Sequence, residues 1–314
     1  MKNTDGINLH YRVAGKGNSI ILIHGWAMNS HVWKYQIDEL SRDFQVIAVD
    51  LRGHGKSVTP SPQSSPHGGE AESFDAFVKD LKELIDFLNI KKFTLVGWSM
   101  ASFIIVRYYF KYPEDIDKLI FISGTPKFIS ENDYPYGQPM SMVKRLEQNL
   151  KPVPRIKCGA GSASLPSNVS IGGRKQGRDY KNHIREFCER LFISGEEIDD
   201  DSSADVKKLM FNEDFPPSFN VVFQTLNSLI HDDIRDKLKY IKAPSLIIHG
   251  SIDKICPVGA GKYMAREMPD SKLIILEGVG HAPFLTQPEM VNKEIKDFVF
   301  SPSPSLSPMG RGER

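Results

Sequence analysis

The chain has 314 residues, 40% hydrophobic and 25% charged, a balance that fits a globular enzyme able to bury a sizeable core without staples. Forty Lys and Arg against 39 Asp and Glu leave a formal net charge of +1, so no global bias toward nucleic acid or an anionic membrane exists. The three cysteines, Cys158, Cys188 and Cys256, are scattered without a C-x-x-C pair, which argues against a disulfide scaffold or a zinc ribbon and for a reducing compartment.

The first residues lead into a polar-alternating segment with no apolar signal region, and no run of about 18 apolar residues follows. A soluble, cytoplasmic protein is the expectation. Gly15-Lys16-Gly17 is too short for a phosphate or dinucleotide loop and reads as a hairpin turn. Six short apolar runs, many of them β-branched, then end in turn residues: 20–23, 46–49, 93–96, 119–122, 246–248 and 273–276. Each reads as a strand buried on both faces. Between them, residues 74–88 carry an apolar stripe at Phe74, Phe77, Val78, Leu81, Leu84, Ile85 and Leu88, and a second helix runs over 101–112 until Pro113 stops it. Alternating strands and helices predict an α/β fold with a mostly parallel sheet, helices on both faces and functional groups at the strands' carboxyl ends.

The strand pattern lapses between about 125 and 240. Residues 1–125 and 240–300 read as the core and 126–239 as an inserted helical cap, with helices expected around 142–150 and 184–193. Three stretches rich in Pro, Ser or Gly, at 59–72, 159–178 and 301–314, lack the apolar content to offset chain entropy; the last is expected to be a disordered tail.

Gly97-Trp98-Ser99-Met100-Ala101 lies between a strand and a helix. A serine on so sharp a turn is held in strained geometry with its hydroxyl exposed. A serine hydroxyl needs a base, and the base an orienting carboxylate. Asp253 follows the run at 246–248, and His281, in Gly278-Val279-Gly280-His281, follows the run at 273–276. The order Ser99, Asp253, His281 puts each candidate catalytic residue at a strand's carboxyl end. The backbone amides of Met100 and Trp26, the latter in His24-Gly25-Trp26-Ala27, are the candidate oxyanion donors. His24 is expected to shape that loop by hydrogen bonding, and His54 to be structural. With no H-E-x-x-H spacing and no G-x-G-x-x-G after the first strand, neither a metal nor a cofactor is expected.

With this elbow, the His24-Gly25-Trp26 loop, the segment Asp50-Leu51-Arg52-Gly53-His54-Gly55-Lys56-Ser57 and the Asp253 and His281 loops, the chain resembles the α/β-hydrolase superfamily over about residues 6–125 and 240–300. More narrowly it resembles the pimeloyl-[acyl-carrier protein] methyl ester esterases of biotin synthesis, through His24-Gly25-Trp26 with Trp33, Gly97-Trp98-Ser99-Met100, Ser123-Gly124-Thr125-Pro126-Lys127-Phe128 and His281-Ala282-Pro283-Phe284. That implies ester hydrolysis through an acyl-serine intermediate, no cofactor, and an acyl-carrier protein as partner to a monomer. Where the family has Gly-Gly, this chain has Ala101-Ser102, which leaves less room at the elbow. The same triad also serves carbon–carbon bond hydrolases of this fold, and a low-turnover binding protein is a further alternative. Dehalogenases and epoxide hydrolases place a carboxylate where Ser99 stands.

Charge is segregated in the expected cap. Residues 144–190 hold eleven basic and four acidic side chains, and residues 196–214 hold eight acidic and two basic ones. The stretch is either a pair of solvated faces or a steering surface for an acidic carrier, with Arg185, Arg190 and Phe187, together with Trp26, as the candidate substrate- and carrier-binding residues.

Overall fold

A computed structural model describes residues 9–57, 73–150, 182, 208–209, 217 and 219–302. In chain order the sheet strands are β1 (Tyr11–Ala14), β2 (Ser19–Ile23), β3 (Gln45–Val49), β4 (Phe93–Trp98), β5 (Ile116–Ile122), β6 (Ser245–Gly250) and β7 (Ser271–Leu276). The helices are α1 (Lys34–Leu40), α2 (Phe74–Phe87), α3 (Ala101–Lys111), α4 (Met140–Leu150), α5 (Phe219–His231), α6 (Arg235–Leu238), α7 (Val258–Glu267), α8 (Pro283–Thr286) and α9 (Pro288–Phe300).

The sheet order is β1-β3-β2-β4-β5-β6-β7, antiparallel at β1–β3 and parallel elsewhere. Its direction of growth reverses between β2 and β4, the crevice where open α/β sheets place their chemistry. There Ile23 pairs with Gly97 in register, so the loops after β2 and β4 emerge side by side. The apolar runs explain the layering: β2 and β4 are buried along their whole length, as strands covered by helices on both faces must be. Helix α2 starts where Ser73 accepts a hydrogen bond from the Ala76 N–H, and it buries its predicted stripe from Phe74 to Ile85. Asp80, also on its buried side, holds the Arg52 guanidinium.

Two expectations are corrected. Gly15-Lys16-Gly17 connects β1 and β2, but these strands are not hydrogen-bonded to each other; β3 lies between them. Gly15 has φ +74°, and a Cβ there would sit 2.1 Å from the Phe44 carbonyl and 2.3 Å from that of Ser41. The turn thus packs on the segment entering β3, so that β1 reaches the far side of β3. The second concerns β7, which is half-exposed along most of its length, because it is an edge strand of the sheet.

Lys118 on β5 is buried and donates from Nζ to the carbonyls of Phe298 (2.7 Å), Val299 (2.8 Å) and Ser301. It satisfies the open carbonyls at the end of α9. Ser301, placed by composition in the tail, is the C-cap of that helix. The predicted helix near 184–193 and the stretches 59–72, 159–178 and 303–314 lie outside the described residues. Among the described residues no helix is long and apolar enough to cross a membrane.

Candidate active site

The loops at the carboxyl ends of β4, β6 and β7 meet at Ser99, and the loop after β2 lies against the neighbouring Trp98. Strand β4 ends at Trp98 and α3 begins at Ala101, leaving Ser99 at φ +56°. Such a left-handed backbone is costly for a residue with a side chain and persists only where its surroundings hold it. Here the Ser99 N–H donates to the Ile122 carbonyl (2.9 Å), and the Ser99 carbonyl accepts from the Ser102 N–H (3.0 Å) and Oγ (2.9 Å). Ser102 therefore secures the elbow at a position where the resemblance implies glycine. Ala101 lies where a Cβ on Gly97 would approach its own Cβ to 2.7 Å, so strand and helix are in contact at full density.

Ser99 is only partly buried, and its Oγ lies 3.0 Å from His281 Nε2. His281 Nδ1 lies 2.8 Å from Asp253 Oδ2. A carboxylate only accepts, so the imidazole carries its proton on Nδ1 and leaves Nε2 as acceptor for the serine hydroxyl. Asp253 Oδ1 accepts the N–H groups of Ile255 (2.8 Å) and Cys256 (2.9 Å). Burial opposes its charge, but His281 and the hydrogen bonds of His249 and His281 outweigh burial and hold the carboxyl well below the usual range. The structure thus brings Ser99, His281 and Asp253 into one hydrogen-bonded chain. Gly250 lets the Asp253 and His281 loops touch: a Cβ there would lie 2.2 Å from the carbonyls of Val279 and Gly280.

The candidate oxyanion residues flank this chain. Met100 is buried at the start of α3, where the first-turn N–H groups have no partner within the helix. In the loop after β2, Leu51 N–H donates to His24 Nε2 (3.1 Å), which leaves His24 Nδ1 to donate to the Gly25 carbonyl (2.8 Å). Burial pushes the pKa of His24 down and keeps the ring neutral. Trp26 is buried, and its indole donates to the Val222 carbonyl of α5 (3.0 Å), tying this loop to the segment between β5 and β6.

Beside the loop, buried Asp50 accepts the N–H groups of Ser30 (2.7 Å) and Lys56 (3.0 Å) and contacts His10 Nδ1 (2.8 Å). His54 is fully buried, with Nδ1 against the Arg52 carbonyl (3.0 Å); burial, reinforced by His24, lowers its pKa to about 3. It does not reach Ser99 or Asp253 through any hydrogen bond and is a structural ring.

Three residues around the site carried no functional reading in the sequence. Trp98 donates its indole N–H to the His281 carbonyl (2.8 Å); its place inside the elbow motif was the available signal. His249 Nε2 lies 2.6 Å from the Cys256 carbonyl and 3.4 Å from Asp253 Oδ2. The Cys256 thiol hydrogen-bonds Ser99, but burial and the Asp253 charge push its pKa well up, so it is a neutral neighbour and not a second nucleophile. Arg185, Phe187 and Arg190 lie outside the described residues. Among the described residues no group of three or more His, Cys, Asp or Glu side chains is placed to hold a metal ion.

A family model for the alpha/beta hydrolase fold matches residues 18–288. The pimeloyl-[acyl-carrier protein] methyl ester esterase of Nitrosomonas europaea is 28% identical over 282 residues, 90% of this chain and 96% of that protein. The AB hydrolase superfamily protein YisY of Bacillus subtilis is also 28% identical, over 95% of this chain and 97% of that protein. Among solved structures, an esterase from Exiguobacterium antarcticum superposes with a TM-score of 0.77 at 25% identity, covering 95% of this chain and 97% of that one.

Proposed function

The chain belongs to the alpha/beta hydrolase fold family, and from that premise we propose that it is a serine carboxylesterase working through an acyl-serine intermediate. The observation that carries this reading is the continuous path from Ser99 Oγ through His281 to Asp253, with contacts of 3.0 and 2.8 Å.

Ser99 Oγ attacks the ester carbonyl while His281 Nε2 takes its proton. Asp253 keeps the imidazole in the required tautomer and stabilises the imidazolium. The amides of Trp26 and Met100 receive the oxyanion, each worth about 3 kcal/mol in comparable sites. His281 then protonates the leaving alcohol, activates a water against the acyl-serine and returns the proton to Ser99, releasing the acid. No cofactor takes part.

The finer reading is a methyl ester of a pimeloyl chain carried on acyl-carrier protein, supported by the similarity to the Nitrosomonas europaea pimeloyl-[acyl-carrier protein] methyl ester esterase. The segment between β5 and β6 would serve as a cap, a reading supported at its described residues by the Trp26–Val222 hydrogen bond. The basic stretch 144–190 would receive the acidic carrier.

The test is chemical. A fluorophosphonate probe should label Ser99, and Ser99→Ala should lower ester turnover by about 10³-fold or more without loss of folding. An adduct elsewhere, or a mutant of near-normal activity, ends the serine-esterase reading. A methyl-pimeloyl carrier substrate compared with short free esters then decides the finer one.

A further inference from the structure

The loop that carries Asp253 is held from outside itself. Asp253 Oδ1 accepts the N–H groups of Ile255 and Cys256. In a trans peptide the N–H and the preceding C=O point in opposite directions. Aiming these two N–H groups at the carboxylate therefore turns the carbonyls of Lys254 and Ile255 away from it. Both end on one atom: Gln138 Nε2 lies 2.7 Å from each. An amide nitrogen carries two hydrogens and matches two carbonyl acceptors, whereas the flipped amide would set oxygen against two oxygens. The next carbonyl, of Cys256, accepts from His249 Nε2.

Gln138 is buried and has little freedom to move. Its N–H donates to the Phe128 carbonyl (2.7 Å), and its own carbonyl accepts from the Ser130 N–H (3.0 Å) and Oγ (3.2 Å). The residue sits just before α4, more than a hundred positions from the loop it holds, on the segment that follows β5.

We propose that Gln138 is a positioning residue for the acid of the triad: it fixes the two peptide planes whose N–H groups hold the Asp253 carboxylate aimed at His281. This rests on reading Ser99, His281 and Asp253 as the catalytic set. Without the two Gln138 hydrogens, the buried Ile255 carbonyl and the part-buried Lys254 carbonyl both lose their donor. Rotating those peptides back toward a partner withdraws their N–H groups from Asp253, and Oδ1 loses the two hydrogen bonds that fix the direction of the carboxylate.

The experiment follows the rate at which a fluorophosphonate labels Ser99, a readout of serine activation that needs no knowledge of the natural ester. It uses the full chain as wild type, Gln138→Met, Asp253→Asn and the double variant, each checked for folding by thermal melt. Gln138→Met keeps the side-chain length and removes the donors; it should slow labelling about tenfold or more, and add less than about twofold in the Asp253→Asn background, because groups acting as one unit are not additive. If Gln138→Met does not fold, Gln138→Asn, with its amide one methylene short, should slow labelling about threefold or more under the same non-additivity. Labelling at the wild-type rate in the variant that folds, or a full additive effect beside Asp253→Asn, overturns the role of Gln138 alone. A wild type not labelled at Ser99 overturns the triad reading, and this proposal with it.

Discussion

The indole N–H of Trp98 donates to the main-chain carbonyl of His281 across 2.8 Å. One side chain thereby joins the turn that carries the proposed nucleophile to the loop that carries the proposed base. The same indole packs against Phe284, with ring centroids 5.0 Å apart, and against Gly25, where a Cβ would come within 3.0 Å of Cε3. The Ser99 turn, the His281 loop and the Gly25 loop thus share one aromatic plate.

Trp98→Phe keeps much of the packing and removes the donor. The buried His281 carbonyl then lacks its partner, a loss of about 1–3 kcal/mol in unfolding free energy. Because the base is what moves, ester turnover should fall with KM little changed. Urea denaturation and steady-state kinetics check the two halves, and a variant as stable and as active as the parent would deny Trp98 this linking role.

The elbow's packing makes a second expectation. A Cβ on Gly97 would meet Ile105 Cδ1 at 2.6 Å and Ala101 Cβ at 2.7 Å. Gly97→Ala should therefore lose about 1–3 kcal/mol of stability through overpacking. Adding Ala101→Gly removes one of the two contacts, so the pair should recover part of the loss. Equilibrium unfolding of the single and double variants measures the coupling, and simple additivity would mean that the two positions do not compete for the same space.

What the sequence made legible divides along physical lines. Ser99, Asp253 and His281 could be read because each follows a short apolar run that forms a parallel strand, and such strands bring their carboxyl ends to one edge of the sheet. The β1–β3 pairing could not be read, because alternation says which face a side chain takes but not which strand lies beside it. The resemblance pointed to glycine at 102, whereas Ser102 supports the turn through the Ser99 carbonyl. Gln138 and His249 had no local signature: a buried amide bonded to carbonyls at 254 and 255 is known only once the chain has closed on itself.

Acid should destabilise the fold through its buried histidines. His54 is neutral in the folded chain, its pKa lowered from 6.5 to about 3, and His24 is lowered as well. The unfolded chain protonates both below pH 6.5, so it binds more protons than the native state and stability falls as pH drops from about 6.5 toward 3. For His54 alone the full window is worth on the order of 5 kcal/mol. Urea midpoints between pH 7.5 and 5 should decline, and His54→Gln should flatten that slope. An unchanged slope in the variant would show that His54 does not carry the dependence.

The carrier reading makes the last expectation, and it turns on charge. Residues 144–190 carry a local net charge of +7 and residues 196–214 one of −6, within a chain whose total is +1. If the basic stretch steers an acidic carrier, its effect acts on encounter and is screened by salt, with a Debye length of about 8 Å at physiological ionic strength. Arg185 and Arg190 bracket Phe187 in the sequence, and two charge reversals there change the local net charge by four units. Arg185→Glu with Arg190→Glu should raise KM for a carrier-bound ester about tenfold or more, while hydrolysis of a small free ester, which has no carrier to steer, changes little. Added salt should weaken the carrier reaction of the parent toward that of the variant and leave the free ester unaffected. Equal losses on both substrates would instead implicate the catalytic site, and no loss on either would leave the basic stretch as a solvated face.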